Sequence, residues 1–426
     1  MKILVVSCSP WRNDNNIGNS YTNIFKGIDN LEIAYICCGN GIPDTDFVKK
    51  HLHISERNII RNLFNPNHKC CYEVNGIHEE VLEPIGKNGA FDFMRKHRFQ
   101  LFFLFRDIIW SFKNWICDDL KKFVDDFNPD IIFAQFLDRS YLNDMLFFLK
   151  DYTKKPLIVY AWDDVYTLKQ FSISPLFWLN RFLQRKKLRN ISNISSYMYV
   201  ISELQQIEYS KIFKRNCKVI YKGFDFNKKP EYIPSNNPLK LVFSGNIGSG
   251  RWKTLAYIGD ALHEINQQEP KGILYIYTAT PISNRIKQKL YYPESVKLQG
   301  SVSAEEIAKL QLDADILVHV ESFHLKDRLQ VRLSFSTKLV DYFKSGRCIL
   351  AIGSKNIASI EYLSKNHGAI VVNNKSEIKK RLEKIIYSQS LIKKYSNRSW
   401  ECGKKNHQIE EIQKILQNDF NELLQQ

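Results

Sequence analysis

Ser336, Thr337 and Lys338, followed one turn later by Asp341, are the grouping in this chain whose residue types and spacing best suit phosphate and sugar chemistry. On a 3.6-residue period, Leu339, Val340 and Phe343 share one side of a short helix while Lys338, Asp341, Tyr342 and Ser345 line the other. The Ser336 or Thr337 hydroxyl is expected to cap the first turn, and Gly346 to end the helix ahead of the apolar strand Cys348–Ile352. A helix N-terminus with hydroxyls and an ammonium is a phosphate site, because free N–H groups, the helix dipole and the cation act in one direction. A carboxylate one turn on can accept hydrogen bonds from a sugar diol. The same pattern also describes a surface helix with its charges in water, so the choice rests on the rest of the chain.

A second grouping lies upstream. Residues 240–253 run from an apolar strand through Gly245, Asn246, Gly248 and Gly250 to Arg251 and Lys253. Three glycines let backbone amides approach a pyrophosphate, and the two cations add charge at a helix start. The spacing is neither a Walker loop nor G-x-G-x-x-G. The chain's beginning repeats the plan more weakly: the strand of residues 2–7 leads into a polar loop with one glycine, Gly18, which equally suits a plain strand-to-helix connection. Residues 156–161 form another strand and end in Trp162-Asp163-Asp164, so these carboxylates are candidates either for a polar substrate or for a helix cap.

Positioning such groups requires open sheets with ligands at the strand ends. Apolar strand-like runs alternate with helical patterns throughout, which predicts an α/β protein of two doubly wound, Rossmann-like domains. A chain of 426 residues is long enough for both cores. The expected division is residues 1–228, a Pro- and Asn-containing linker over 229–238, a second domain over 239–400, and a C-terminal helix over 401–426 packing across both. Residues 39–90 read as irregular, with His51, His53, His68 and His78 dispersed, and 91–127 as one long helical region.

Sixty-one basic against 45 acidic residues give a net charge of +16, which calls for an anionic partner. No apolar run reaches the ~20 residues of a membrane span, and the first ten residues lack the parts of a signal peptide. The expected location is therefore the cytoplasm. Residues 95–115 and 175–189 interleave aromatics with Lys and Arg, a pattern that suits either an anionic membrane face or a helix packed on the sheet. The nine cysteines form no C-x-x-C pair and sit mostly in apolar runs, as small buried hydrophobes do. A metal site at Cys70-Cys71 with His68 is disfavoured, since adjacent cysteines chelate poorly.

Taken in order, residues 201–203, 219–225, 243–248, 296–300, 305–307, 314–318 and 336–350 resemble the GT-B glycosyltransferases. The likeness is to the retaining, nucleotide-sugar-dependent enzymes that build bacterial surface polysaccharides (group 1, family 4-like). It implies that Gly245, Asn246 and Gly248 approach a donor pyrophosphate that Arg251 and Lys253 neutralise. It further implies that Ser336, Thr337 and Lys338 bind donor phosphate, that Asp341 meets the ribose, and that residues 296–307 surround the base. The family's paired glutamates, seven residues apart, are absent, because position 333 is Leu; Glu321 is the nearest acid and stands as the catalytic candidate. Between them lies a basic insert, His324 to Arg332, readable as a cover for an anionic ligand or as a solvated loop. Gly18 and Asp163 are the acceptor-side candidates.

The expected reaction moves a hexose from a nucleotide-sugar to a saccharide or a polyprenyl-diphosphate-linked saccharide, with cationic rather than metal stabilisation of the leaving diphosphate and no cofactor. A nucleotide-sugar epimerase shares the architecture, and a non-catalytic polyanion binder shares the charge. Nucleic acid is the less suitable polyanion, as no RRM, helix-turn-helix or zinc pattern is present.

Overall fold

The computed structural model describes residues 1–12, 16–39, 41, 43–74, 100–232 and 236–425, with side chains for all of these except 16 and 100–104. The first sheet contains β1 (Lys2–Ser7), β2 (Glu32–Cys37), β3 (Lys50–Ile54), β4 (Cys71–Glu73), β5 (Ile131–Gln135), β6 (Leu157–Ala161), β7 (Tyr197–Val200) and β8 (Lys218–Val219). Their spatial order is β4-β3-β2-β1-β5-β6-β7-β8, parallel except for the β3–β4 pair. Register places Val6 beside Ile36 and Ala134, and Gln135 beside Tyr160. The central strands are apolar along their length because helices cover both faces.

The second sheet holds β9 (Leu239–Ser244), β10 (Gly272–Tyr277), β11 (Val296–Gln299), β12 (Ile316–Val320), β13 (Cys348–Ile352) and β14 (Ile370–Val372). All pairs are parallel, in the order β11-β10-β9-β12-β13-β14. Strand order reverses between β9 and β12. The connections there leave in opposite directions and open a crevice at the carboxyl ends, where ligands of such sheets bind.

Three expectations change. Residues 39–90 are not irregular throughout: β3, helix Glu56–Phe64 and β4 form the sheet's edge, with the His51 and Tyr35 rings tilted against each other at 5.1 Å and His53 Nε2 2.6 Å from the Gly39 carbonyl. The histidines masked a strand whose residues His51 to Ile54 are all buried, Leu52 and Ile54 in the hydrophobic core and His51 against Tyr35. The helical region divides into Gln100–Ser111 and Asp118–Phe127, parted at Lys113 in the left-handed conformation (φ 57°). Residues 75–99, with His78 and the start of the basic aromatic segment at Arg95, lie outside the described residues. Position 400 falls inside one helix, Gln389–Asn406, and the crossing element is helix Ile409–Leu424. That helix returns to the first sheet, where Asp419 accepts from the Tyr199 hydroxyl at 2.9 Å and pairs with Lys218 at 2.5 Å.

Candidate functional site

On the second domain's side, β9 ends at Ser244 and the chain turns through Gly245 with φ +152°. A Cβ there would overlap the Lys338 ammonium, so the missing side chain is what admits that charge to the strand end. Lys338 is the first residue of helix Lys338–Ser345. Burial and the nearby Arg251 charge lower its pKa, while Asp341 and Glu321 act the other way. Arg251 opens helix Arg251–Ile265, and its Nε and Nη2 each lie 3.0 Å from a Glu321 oxygen. Glu321 directly follows β12 and is 2% exposed. Burial raises its carboxyl pKa, partly offset by Arg251. His319 beside it is held neutral, its pKa lowered to about 3 chiefly by burial, and shares a hydrogen bond with Ser359 at 3.0 Å. The switch point thus carries two cations against one buried carboxylate.

Of these groups Lys338 and Gly245 border a cavity of about 520 Å³, whereas Arg251, Glu321 and His319 do not line it, and neither do Gly248, Ser336 and Thr337. Gly245, Asn246 and Lys338 form one wall, Thr278 and Thr280 after β10 another, and Gly300 to Val302 after β11 the far end. Asn246 Oδ1 accepts from the Gly248 N–H at 2.6 Å and the Thr280 hydroxyl at 3.2 Å, which fixes the glycine loop. Asp341 stands at the mouth, its side chain 41% exposed, paired with Lys222 at 2.9 Å. A neighbouring cavity of about 530 Å³ shares Asp341 and Gln311 and reaches Asn23 and Lys222 of the first domain.

Several predicted roles are altered. Neither Ser336 nor Thr337 caps the helix through its side chain; the first turn is closed by backbone bonds from Leu339 to Ser336 and from Val340 to Thr337, since Thr337 is itself helical. Tyr342 and Ser345 are buried rather than outward, because the helix is covered on more than one side. The Tyr342 hydroxyl donates to the Val318 carbonyl at 3.3 Å and accepts from the Ser244 N–H at 3.3 Å, tying the helix to both central strands. Lys253 is absent from the cavity lining and lies 5.7 Å from the Trp252 ring. The basic insert contains helix Leu325–Val331, and neither reading of it holds for Arg332, which pairs with Glu208 at 2.9 Å and Asp164 at 3.4 Å in the first domain.

The facing wall belongs to β6. Asp163 is accessible in the cleft and accepts a 2.5 Å hydrogen bond from the Ser334 hydroxyl of the second domain. Its surroundings raise its pKa, desolvation first and then the charges of Asp138 and Asp164, against the Ser334 bond and the Arg251 charge. Asp164 is buried and structural, accepting from the Thr167 N–H at 2.8 Å and the Tyr166 N–H at 3.2 Å. Asp138 is held by Arg139 and Arg181, each at 3.4 Å. Gly18 makes room for the Arg12 backbone, which any Cβ would overlap, so packing already accounts for this glycine.

Lys222, Ser334, Thr278 and Thr280 were not singled out from the sequence. Thr278 carried a usable signal, as it directly follows a strand; Lys222 and Ser334 meet Asp341 and Asp163 only through domain docking. Among the described residues, the cluster of possible metal ligands is Cys71, Cys117 and Asp119, and His68 lies outside it with its Nε2 3.3 Å from Asn58 Oδ1.

No protein-family model matches the chain, and no curated protein sequence matches it. Solved structures do. The HepE protein of Anabaena, in complex with UDP and glucose, aligns over 99% of this chain and 100% of its own at 14% identity and a TM-score of 0.63. Sucrose-phosphate synthase from Thermosynechococcus elongatus aligns over 99% and 98% at 11% identity and a TM-score of 0.64. A trehalose-6-phosphate structure from E. coli bound with UDP-2-fluoro glucose aligns over 99% of both chains at 11% identity and a TM-score of 0.60. All three are GT-B glycosyltransferases. Two Rossmann-like sheets facing one cleft, matched from end to end by these enzymes, give this chain the GT-B fold.

Proposed function

We propose that the protein is a glycosyltransferase that moves a hexosyl group from a UDP-sugar to a saccharide hydroxyl in surface polysaccharide synthesis. The observation that carries this is the Lys338 ammonium seated over Gly245 at the reversal point of the second sheet, on a cavity with room for a nucleotide. The likeness to proteins solved with UDP and UDP-sugars supports the choice of base.

In this reading the sugar C1–oxygen bond breaks, its electrons remain on the UDP β-phosphate, and an acceptor hydroxyl oxygen bonds to C1. The hydroxyl proton passes to the departing phosphate oxygen on the same face, which retains configuration. Negative charge develops on the diphosphate. Lys338 and the amides at the start of helix Lys338–Ser345 stabilise it electrostatically, with Arg251 adding charge from beside Glu321. Cationic side chains thus take the role a divalent ion plays elsewhere, and the donor is the only small molecule the reading requires. Asp163 orients the acceptor hydroxyl from the opposite wall. Glu321 acts as a positioning residue that holds Arg251.

The acceptor in this proposal is lipid-linked, which places the enzyme on the cytoplasmic side of an anionic membrane. Helices Gln100–Ser111 and Pro175–Ile194 are joined by a 3.2 Å hydrogen bond from Gln184 to Asp107. Phe105, Ile108 and Phe112 near the first, with Leu179, Phe182 and Leu183 on the second, are each 51% to 59% exposed. Lys113, Lys186 and Arg189 are exposed beside them. An apolar patch rimmed by cations fits a lipid surface. Among the described residues no helix is long and apolar enough to cross a membrane.

A thermal-shift series with UDP, GDP, ADP, CMP and NAD tests the donor site, since a ligand of the folded state raises Tm. A rise with UDP that Lys338→Ala abolishes is expected. No rise with any nucleotide would overturn the proposal, and UDP-sugar isomerisation without an acceptor would turn it toward an epimerase. Flotation of the protein with phosphatidylglycerol vesicles, lost in Leu179→Glu/Phe182→Glu, checks the membrane face.

A further inference from the structure

Cys117 stands at the N-cap of helix Asp118–Phe127, and its Sγ lies 2.9 Å from the Sγ of Cys71, the first residue of β4. The two are 46 residues apart, so tertiary packing brings them together. Two thiolates on one tetrahedral zinc stand ~3.8 Å apart, given Zn–S bonds of ~2.3 Å. The observed pair, at 2.9 Å, is closer than that and lies midway between the zinc spacing and the ~2.0 Å of a covalent S–S bond. Asp119 adds a carboxylate within 4.8 Å of both sulfurs, but its Oδ1 is held by Lys69 at 3.1 Å.

The two sulfurs are not equivalent. Cys117 is half-buried and Cys71 fully buried. The Cys71 thiol, followed by the backbone N–H groups of Leu120 and Asp119, stabilises the Cys117 thiolate and lowers its pKa, against burial and the Asp119 charge. The same hydrogen bond, with burial, pushes Cys71 up. An accessible thiolate beside a buried thiol is the arrangement of an attacking and a resolving cysteine.

We propose that Cys117 and Cys71 are a peroxide-reactive dithiol that closes to a disulfide, a modification site at the outer edge of the first sheet. The Cys117 sulfur attacks one oxygen of hydrogen peroxide; the O–O bond breaks, the departing hydroxide takes a proton and leaves as water, and Cys117 becomes a sulfenic acid. The Cys71 sulfur then attacks the Cys117 sulfur, the S–O bond breaks, and the second water carries away the Cys71 proton. Two thiols lose two electrons, and one peroxide is reduced to two waters. The bond ties β4 to the helix that leads into β5, whose carboxyl end faces the cleft. Nothing in this site touches the donor cavity, so it stands apart from the proposed transfer.

The test uses the full-length chain, reduced, freed of reductant and exposed to hydrogen peroxide. Two of the nine thiols are expected to disappear and to return with dithiothreitol, with a peptide linking Cys71 to Cys117 found by mass spectrometry. Alkylation of Cys117 by iodoacetamide should show a midpoint well below that of an ordinary thiol. Cys71→Ser should leave Cys117 as a sulfenic acid trappable by dimedone, and Cys117→Ser should lose no thiols. A link to Cys70 instead, no thiol loss at peroxide levels that oxidise free cysteine, or protection of both thiols by bound zinc that a chelator reverses would each overturn the proposal. If Cys71→Ser fails to fold by circular dichroism, the wild-type peptide map and alkylation profile decide the matter.

Discussion

After β9 the chain turns through Gly245 toward a helix that begins with Arg251; after β6 it turns through Trp162 into Asp163 and Asp164. Both walls of the cleft are carboxyl ends of parallel strands, built on one plan. Their chemistry is opposite. The second domain removes side chains where the backbone must be approached and supplies cations, Lys338 and Arg251, around a single buried carboxylate. The first domain keeps large side chains and presents an accessible carboxylate, Asp163, whose charge its surroundings disfavour. In the proposed reading one sheet geometry would serve a polyanion on one side and a hydroxyl on the other, the polarity lying in a few strand-end residues.

The comparison breaks most severely at Arg251. Arg251→Ala should cost ~3–5 kcal/mol of stability, because it leaves Glu321 buried without its partner. Chemical denaturation measures this, and Arg251→Ala/Glu321→Gln should recover much of the stability without recovering nucleotide affinity. Recovery of both would show that Arg251 serves only the fold. Next in size, Lys338→Ala should weaken UDP binding by ~1.5–3 kcal/mol, read by calorimetry, with little change in Tm without ligand.

On the opposite wall, Asp163→Asn should sharpen the contrast. It should lower kcat/KM by roughly 10- to 100-fold, the worth of one hydrogen bond to a charged group, while UDP affinity stays as in the wild type. A matching fall in UDP affinity would mean that the two walls are not chemically separate. The smallest effect belongs to Asp341→Asn. Its pair with Lys222 is partly exposed, so loss of that link should change stability by no more than ~1 kcal/mol, and any larger change in UDP affinity would mark a ribose contact.

How far the sequence reached differs between the walls. The position of residues 245–251 and Lys338 at the second domain's strand ends was legible because a turn and a helix start are local devices written in consecutive residues. Asp163 was visible as a strand-end acid, but only the fold separates it from Asp164, whose carboxylate is spent on its own turn and on Arg181 and Arg332. The basic insert misled for the same reason. Arg332 reads as a ligand cation until Glu208, 124 residues away, is placed beside it.

By itself, the sequence determined two doubly wound α/β domains, the alternation of apolar strands and helices, and the glycine-and-cation character of the second domain's strand ends. Those features follow from side-chain periodicity and backbone freedom within a few residues. Tertiary structure alone decided the pairings: Glu321 with Arg251, Asp341 with Lys222, Asp163 with Ser334, Cys71 with Cys117. Each joins residues 46 to 171 positions apart, and a charge or thiol takes its chemical character from neighbours within a few ångströms, which chain order does not specify.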